Sequence, residues 1–241
     1  MRYLIDFSYS GANFSGYQKQ KNLRTVQGEL EKVLTMINDS NVKIVSSGRT
    51  DAKVNALHQA AHFDLDKKIA PYKLKYALNN YLPNDIYIND IKEVSLDFHA
   101  RYMVKKKTYV YRINTGLYNP LIDGYTYQHN KSLDVKKMNL EIKKFLGTHD
   151  FTTFASGEDK KENKVRTIYD VYVKKEKDII TISFTGSGFL KYQVRNMVGL
   201  LIKIGEGKEK VDIEKLISLK DRRKIGLTAK PNGLTLMKVE Y

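Results

Sequence analysis

Both halves of the chain carry the same order of strand and helix patterns, and this repeated order constrains the fold more than any other feature. Strands show alternating apolar residues, whereas helices show apolar residues every three or four positions. In the first half the pattern predicts a strand at 2–9, a helix at 26–37 capped by Thr25, and strands at 42–45 and 60–65. A second helix follows, opened by Pro71, and a strand at 86–94 ends this half. The apolar face of the second helix is expected to contain Leu74, Ala77, Leu78 and Tyr81. The order is β-α-β-β-α-β.

The second half repeats this order without obvious sequence repetition. The pattern predicts a strand at 108–114, a helix at 135–146 ended by Gly147, a hairpin of two strands at 168–175 and 178–186, a helix at 194–204 ended by Gly205, a short helix at 212–219 and a last strand at 233–241. We therefore expect an α+β protein of two ferredoxin-like lobes, 1–104 and 105–241, with a joined central antiparallel sheet and helices outside. A cleft between two such lobes would be a natural ligand site.

The charge of the chain indicates a polyanionic partner. Lys and Arg number 42 against 27 acidic residues, which gives a net charge of +15. The excess lies in local clusters spread along the chain: Lys19, Lys21 and Arg24; Lys105, Lys106 and Lys107; Lys160, Lys161, Lys164 and Arg166; Arg222, Arg223 and Lys224. A broad basic surface is the functional interpretation, and lysine enrichment from an AT-rich genome is the alternative.

Other classes of protein are disfavoured. The chain has no cysteine, which excludes disulfides and cysteine-ligated zinc. Its apolar runs are too short to span a membrane, and residues 1–10 lack a signal-peptide core, so we expect a cytoplasmic protein. The segment GSGFLK lacks the third glycine of a dinucleotide fingerprint, and His58 and His62 have no evident third metal ligand nearby. We expect neither a cofactor nor a metal.

One carboxylate stands out in the segment SSGRTDAKVNALHQ. Asp51 follows Arg49 by two positions on an expected loop between apolar segments. A nearby arginine keeps an acid ionised in a cleft, and an ionised carboxylate can attack an electrophilic carbon. The structural alternative is an aspartate that hydrogen-bonds its own turn, which is common.

Six segments in the right order resemble the TruA family of tRNA pseudouridine synthases over nearly the whole chain. They are FSGYQKQ with RTVQGELEKVL, GRTDAKVNALHQAAHF, KKKTYVYRI, DFTTFAS, FLKYQVRNMVG and GLTAKPNGLTL. The resemblance implies the pseudouridine synthase fold and an isomerase that converts uridine to pseudouridine in the anticodon stem-loop of tRNA, without cofactor or metal. It also implies a homodimer.

The resemblance assigns roles to individual positions. Asp51 would be the catalytic aspartate, and Arg49 would help to displace the target nucleotide from its stack. Tyr109 would pack against the flipped uracil and help to remove the last proton, whereas a core aromatic residue is its structural alternative. Arg195 would pair with Asp51. Phe189 and Val194 would either wall the pocket or belong to the core.

Three positions depart from the family pattern beside the catalytic acid. Lys53 stands where the family usually has Gly, Asn55 where it has His, and His58 where it has Gly. These departures leave open which RNA is the substrate. A paralogous synthase acting on another RNA, such as ribosomal RNA, and a non-catalytic RNA-binding protein are the two rival interpretations.

Overall fold

The computed structural model describes residues 1–158, 162–208 and 211–241. Its strands are β1 (Arg2–Tyr9), β2 (Val45–Ser46), β3 (Asn55–Asp64), β4 (Ile86–Val94), β5 (Lys106–Asn114), β6 (Tyr127–Gln128), β7 (Gly147–Asp150), β8 (Val165–Glu176), β9 (Ile179–Gly186) and β10 (Leu234–Glu240). Its α-helices are α1 (Val26–Asn38), α2 (Pro71–Tyr81), α3 (Val135–Glu141), α4 (Gln193–Gly205) and α5 (Ile213–Leu219). The α+β class predicted from the sequence is confirmed.

The chain divides into two compact units. Unit 1 comprises Met1–Lys105 and Thr235–Tyr241, and unit 2 comprises Lys106–Leu234. The sequence places the division between 104 and 105 and assigns the last strand to the second lobe. In the structure the C-terminal residues cluster with unit 1.

Unit 1 has the ferredoxin-like arrangement. Its strands lie in the order β4-β1-β3-β2, and these three pairings are antiparallel. Because β2 pairs only with Ala61 and His62, the start of β3 is open to β10, which pairs in parallel at Asn55 and Ala56. The sheet of this unit is antiparallel, as expected from the sequence, except where β10 pairs in parallel with β3.

The helices of unit 1 begin where the sequence predicts. The Thr25 hydroxyl accepts a hydrogen bond from the Gly28 amide at 3.2 Å and caps α1, and Pro71 opens α2. Leu74 and Leu78 of α2 are fully buried, and each stabilises the fold by about 1.5–3 kcal/mol. Tyr81, expected on the same apolar face, is the last residue of the helix and is instead 62% exposed.

The end of the chain is anchored on unit 1. The Tyr241 hydroxyl donates to the Ala100 carbonyl at 2.9 Å, and its ring lies 5.0 Å from that of Phe98. The amide of Lys105 donates to the carbonyl of Glu240. These contacts explain why β10 groups with the first unit although it is far away in sequence.

Unit 2 holds a sheet in the order β5-β9-β8-β7, with β6 paired in parallel to β5. The predicted hairpin is present as β8 and β9, joined by a turn in which Lys177 has φ 52°. The helix predicted at 135–146 is shorter than expected, because α3 ends at Glu141 and continues as a 3₁₀ turn, Ile142–Phe145. The short strands β6 and β7 were not predicted.

Helix α4 is the buried core of unit 2. Met197, Val198 and Leu201 are fully buried, as the apolar periodicity predicts. A side chain at Gly199 would overlap the Leu227 carbonyl, so glycine is needed where α4 meets the segment 227–230.

In the described part of the chain, no helix is long and apolar enough to cross a membrane.

Candidate functional site

The Asp51 loop, residues 47–54, connects β2 to β3 in unit 1. The Val54 amide donates to the Asp51 carbonyl at 3.2 Å and closes a four-residue turn. Lys53 occupies the third position of this turn with φ 65°. A positive φ at that position is typical of a type II turn, which favours glycine because other side chains crowd the backbone. The half-buried Asp51 therefore starts a tight turn of defined geometry.

Thr50 holds the loop in place between Arg49 and Asp51. Its hydroxyl lies 2.7 Å from the buried Tyr9 hydroxyl, and its carbonyl accepts a hydrogen bond from the Tyr17 amide at 3.1 Å. Burial raises the pKa of Tyr9 to about 12, so its hydroxyl stays protonated at neutral pH. The residue between the two proposed functional side chains is thus fixed from both its side chain and its backbone.

The segment 11–17 packs against the same loop and requires glycine at two positions. A side chain at Gly11 would overlap the Val54 carbonyl. Gly16 has φ +98°, and a Cβ there would lie 3.3 Å from both the Ala52 nitrogen and the Thr50 oxygen. This close approach gives a physical reason for the glycine in FSGYQKQ.

The start of the loop is held by β3. The Ser47 hydroxyl donates to Gln59 Oε1 at 2.7 Å, and Gln59 Nε2 donates to the Gly48 carbonyl at 3.1 Å. The Ser47 amide also donates to the Ala60 carbonyl at 2.7 Å. Because Gln59 is fully buried, these bonds form in a low-dielectric environment and restrict the loop strongly.

Tyr109 lies on β5 of unit 2 and is half-buried. Its ring makes an edge contact with Phe189, with centroids 5.3 Å apart and an interplanar angle of 87°. Tyr111, two residues along the same strand face, is fully buried, and its hydroxyl donates to the Lys230 carbonyl at 2.7 Å. Tyr111 is therefore a core residue of the unit, whereas Tyr109 retains partial exposure.

Arg195 lies in the first turn of α4. Its Nε donates to the Ala229 carbonyl at 2.8 Å, and the Ala229 amide donates back to the Arg195 carbonyl at 3.0 Å. Its guanidinium carbon lies 4.7 Å from the centre of the Tyr192 ring. These contacts orient the guanidinium before any substrate binds.

The next residue, Asn196, ties α4 to the chain that follows it. It is fully buried, donates to the Phe154 carbonyl at 2.7 Å and accepts from the Thr228 hydroxyl at 2.7 Å. Arg222 also donates to Asn196 at 3.2 Å, and burial lowers the pKa of this arginine. The helix that carries Arg195 is therefore held firmly against segments 152–154 and 222–229.

A family model for tRNA pseudouridine synthases matches residues 7–103 and 142–241. A tRNA pseudouridine synthase A of Streptococcus mutans is 44% identical, covering 100% of this chain and 99% of its own. The same enzyme of Caldicellulosiruptor saccharolyticus is 42% identical, covering 99% and 98%. That of Staphylococcus carnosus is 41% identical, covering 99% and 90%. The chain belongs to the tRNA pseudouridine synthase family.

Membership of the tRNA pseudouridine synthase family confirms the resemblance and the isomerase class predicted from the sequence. The structure places Arg49 and Asp51 together on one loop of unit 1, and Tyr109 close to Phe189 in unit 2. Val194 is buried, with 4% of its surface exposed, and Phe189 is half-buried. Val194 thus has the burial of a core residue.

The three departures from the tRNA pseudouridine synthase pattern each have a local structural setting. Lys53 occupies the left-handed position of the turn, where glycine is the less strained residue. Asn55 is buried and accepts a hydrogen bond from the Gly11 amide at 2.8 Å. His58 Nδ1 lies 3.0 Å from the Asp6 carboxylate on β1. Two of the three side chains therefore bond to other parts of unit 1.

The histidines considered as metal ligands serve other contacts. His62 Nδ1 accepts from the Ala100 amide at 3.0 Å, and His58 is paired with Asp6. Within 1–158, 162–208 and 211–241, no group of three or more His, Asp or Glu side chains is arranged to hold a metal ion.

A pocket beside Arg49 was not predicted from the sequence. A cavity of about 250 Å³ in unit 1 is lined by Tyr17, Gln18, Gln27, Ile44, Val45, Ser46, Arg49, His99, Arg101 and Tyr102. The segment FHARY, which places an arginine between aromatic residues, was the available signal.

Of the basic cluster at 160–166, Lys160 and Lys161 lie outside the described residues.

Proposed function

We propose that the protein converts uridine to pseudouridine in the anticodon stem-loop of tRNA, with Asp51 as the catalytic residue. The observation that carries this proposal is the Asp51 loop, in which Thr50 and the closing turn hold one carboxylate beside Arg49. The match to tRNA pseudouridine synthases over the whole chain supplies the reaction and the class of substrate.

The chemistry needs one carboxylate and no cofactor. The target nucleotide first leaves its stack, which costs a few kcal/mol. Asp51 then promotes cleavage of the bond between N1 and C1′, either by attack on C1′ or by removal of the 2′ proton to give a glycal. The detached uracil rotates and bonds to C1′ through C5. This step breaks the bond between Asp51 and C1′ in the first route, and in the second route Asp51 returns the proton to C2′. Loss of the C5 proton and protonation of N1 complete the isomerisation, so that no atom is gained or lost.

Three further side chains belong to the proposal. Arg49 displaces the target nucleotide, Tyr109 packs against the uracil, and Arg195 is the ionic partner of Asp51. The partial exposure of Tyr109 supports its choice over Tyr111, whose hydroxyl is bonded to Lys230. The hydrogen bond from Arg195 Nε to the Ala229 carbonyl supports a guanidinium of fixed orientation, as a bidentate partner of a carboxylate requires.

The proposed partner is tRNA, and we further propose a cytoplasmic homodimer. The net charge of +15 suits a polyanion whose phosphates release counterions on binding. The dimer rests on the family resemblance, and its test is the molar mass in solution by light scattering. A monomeric mass at micromolar concentration would contradict it.

The catalytic role is tested with Asp51→Asn on RNA carrying tritium at C5 of the target uridine. The amide keeps the shape of the side chain but cannot act as nucleophile or base, so tritium release should fall more than about a hundredfold while RNA affinity changes by only a few fold. Wild-type binding without tritium release would favour a non-catalytic RNA-binding protein. Wild-type release from ribosomal RNA alone would favour the paralogous synthase.

A further inference from the structure

The pocket beside Arg49 contains two arginines and no acid. Arg49 and Arg101 both line it, and no acidic residue is among its lining residues. In the described part of the chain, neither guanidinium is paired with a carboxylate. Two unpaired guanidiniums in one cavity repel each other, and an anion between them would relieve this repulsion. Arginine suits phosphate well because its planar donors can contact two oxygens.

Aromatic residues form one wall of the same pocket. The rings of His99 and Tyr102 are stacked, with centroids 4.2 Å apart and an interplanar angle of 23°. Tyr102 is 79% exposed, so much of its surface is accessible. The His99 ring is held in position because its Nδ1 accepts from the Arg101 amide at 3.2 Å and the Tyr102 amide at 3.3 Å. An exposed, oriented aromatic ring is a stacking platform for a nucleobase.

Tyr17 lines the pocket with a buried hydroxyl that has no hydrogen-bond partner, by distance and angle, among the described residues. Tyr17 is 2% exposed. Burial raises the pKa of Tyr17 well above its usual range, while the nearby Ser46 hydroxyl and the Arg101 charge act in the opposite direction. The hydroxyl therefore stays protonated at neutral pH.

Glu31, a buried acid of unit 1, is already paired with other residues. Glu31, 6% exposed, accepts hydrogen bonds from Lys19 Nζ at 2.9 Å and from Gln27 Nε2 at 2.8 Å. It is also approached by the Ile44 amide at 3.4 Å. Its charge therefore does not supply the counterion that Arg49 and Arg101 lack.

We infer that this pocket binds one nucleotide of the substrate RNA next to the target, with its phosphate on Arg49 and Arg101 and its base against Tyr102. The cavity has a volume of about 250 Å³, which is on the scale of a single nucleotide unit. Because Arg49 is shared with the Asp51 loop, an occupied pocket would anchor the strand beside the nucleotide that has to be displaced. This inference rests on the proposed function for the identity of the RNA.

The inference is tested by removing one positive charge from the protein and one negative charge from the RNA, first separately and then together. The probe is an anticodon-arm RNA, natural or with a single uncharged methylphosphonate at each position around the target uridine. In the wild type, one methylphosphonate should weaken binding about tenfold, as expected for one charge-assisted contact. In Arg101→Gln, the natural RNA should bind about tenfold more weakly, the salt slope should fall by about one unit, and that methylphosphonate should have no further effect.

A matched control distinguishes the loss of this contact from the loss of one positive charge elsewhere on the protein. Lys73 is exposed on α2, which does not line the pocket, so Lys73→Gln should change affinity less than twofold and leave the methylphosphonate effect intact. Tyr102→Ala should weaken binding about tenfold, whereas Tyr102→Phe should bind like the wild type because the ring is retained. Thermal unfolding of each variant shows whether the fold is preserved.

The inference is overturned if Arg101→Gln binds like the wild type, or if the methylphosphonate effect persists in it at every position. Equal binding by Tyr102→Ala and the wild type would also overturn the stacking contact. Failure of the proposed function looks different, because the wild type would then release no tritium while Arg101→Gln still binds RNA more weakly. An active wild type with an unaffected Arg101→Gln would refute the pocket alone.

Discussion

The hydroxyls of Tyr9 and Thr50 lie 2.7 Å apart in the interior of unit 1, and this bond connects strand β1 to the residue that precedes Asp51. Tyr9 is 5% exposed and Thr50 is 8% exposed, so water cannot readily replace either partner. The bond couples the position of the Asp51 loop to the sheet.

Removing this hydroxyl should affect catalysis as well as stability. Tyr9→Phe should lower the free energy of unfolding by about 1–2 kcal/mol, because it leaves the Thr50 hydroxyl buried with a lost partner. It should also lower the single-turnover rate more than RNA affinity, because the Asp51 loop gains freedom. Denaturant unfolding and tritium release measure the two effects.

The control for this prediction is Tyr3→Phe. The Tyr3 hydroxyl is also bonded in unit 1, donating to the Ile69 carbonyl at 2.8 Å and accepting from its amide at 2.9 Å. Tyr3→Phe should cost similar stability with no change in single-turnover rate. Equal rates for Tyr9→Phe and Tyr3→Phe would show that the Tyr9 bond does not support catalysis.

Lys53→Gly should distinguish two effects of this residue: backbone strain, which is measured as stability, and contact with RNA, which is measured as affinity and salt slope. Glycine relieves the positive φ of 65°, and after allowance for the greater freedom of the unfolded chain we expect a gain of about 0–1 kcal/mol in stability. We propose that the Lys53 ammonium contacts a backbone phosphate of the RNA. RNA affinity should then fall in Lys53→Gly and the salt slope should decrease by about one unit, with turnover of bound RNA preserved.

Lys177→Gly is the matched control, because Lys177 also has a positive φ, 52°, in the turn between β8 and β9. It should show the same change in stability and no change in salt slope. For Lys53→Gly, an unchanged salt slope combined with a shifted pH dependence of the bound-state rate would mean that Lys53 acts on Asp51 instead. No change in binding or rate would mean that the residue is neutral.

Arg195→Lys should lower tritium release at least about tenfold, because lysine lacks the planar donors that bind a carboxylate bidentately and cannot reproduce the Nε bond to Ala229. Arg223→Lys is the control, since the Arg223 side chain is 90% exposed and pairs with Asp221 on the surface. Near-full turnover by Arg195→Lys would contradict the proposed pairing with Asp51.

Stability should fall in mild acid because of His62. Burial lowers the pKa of His62 to about 4 from 6.5, and the charges of Arg2 and His99 act in the same direction. Between these two values the unfolded chain binds a proton that the folded protein does not, so the free energy of unfolding decreases as the pH falls. The contribution is at most about 3 kcal/mol.

His62→Gln is the test, because glutamine can still accept from the Ala100 amide but does not titrate. Denaturant unfolding from pH 7 to pH 4 should show a smaller loss of stability in this variant than in the wild type. Parallel stability curves for the two proteins would mean that His62 takes up a proton equally in both states.

The sequence by itself determined most of the helices and strands, though not β6, β7 or the early end of α3, and it singled out the candidate acid. Thr25 and Pro71 start helices where capping chemistry predicts, and the apolar period of α4 matches its buried face, because these features depend on neighbours within one or two turns. The spacing of Asp51 from Arg49 made it a candidate, whereas its catalytic role was implied by the family resemblance and stays a proposal.

Only the tertiary structure decided how distant segments meet. It placed β10 on the part of β3 that β2 leaves open, set the positive φ of Lys53, bonded Asn55 to Gly11, and brought Arg101 and Arg49 into one pocket. Each of these relationships joins residues that have no local pattern in common, or depends on the backbone around a turn. Local propensity and periodicity carry no information about such contacts, because the contacts are stabilised by packing and hydrogen bonds between segments that meet only when the chain folds.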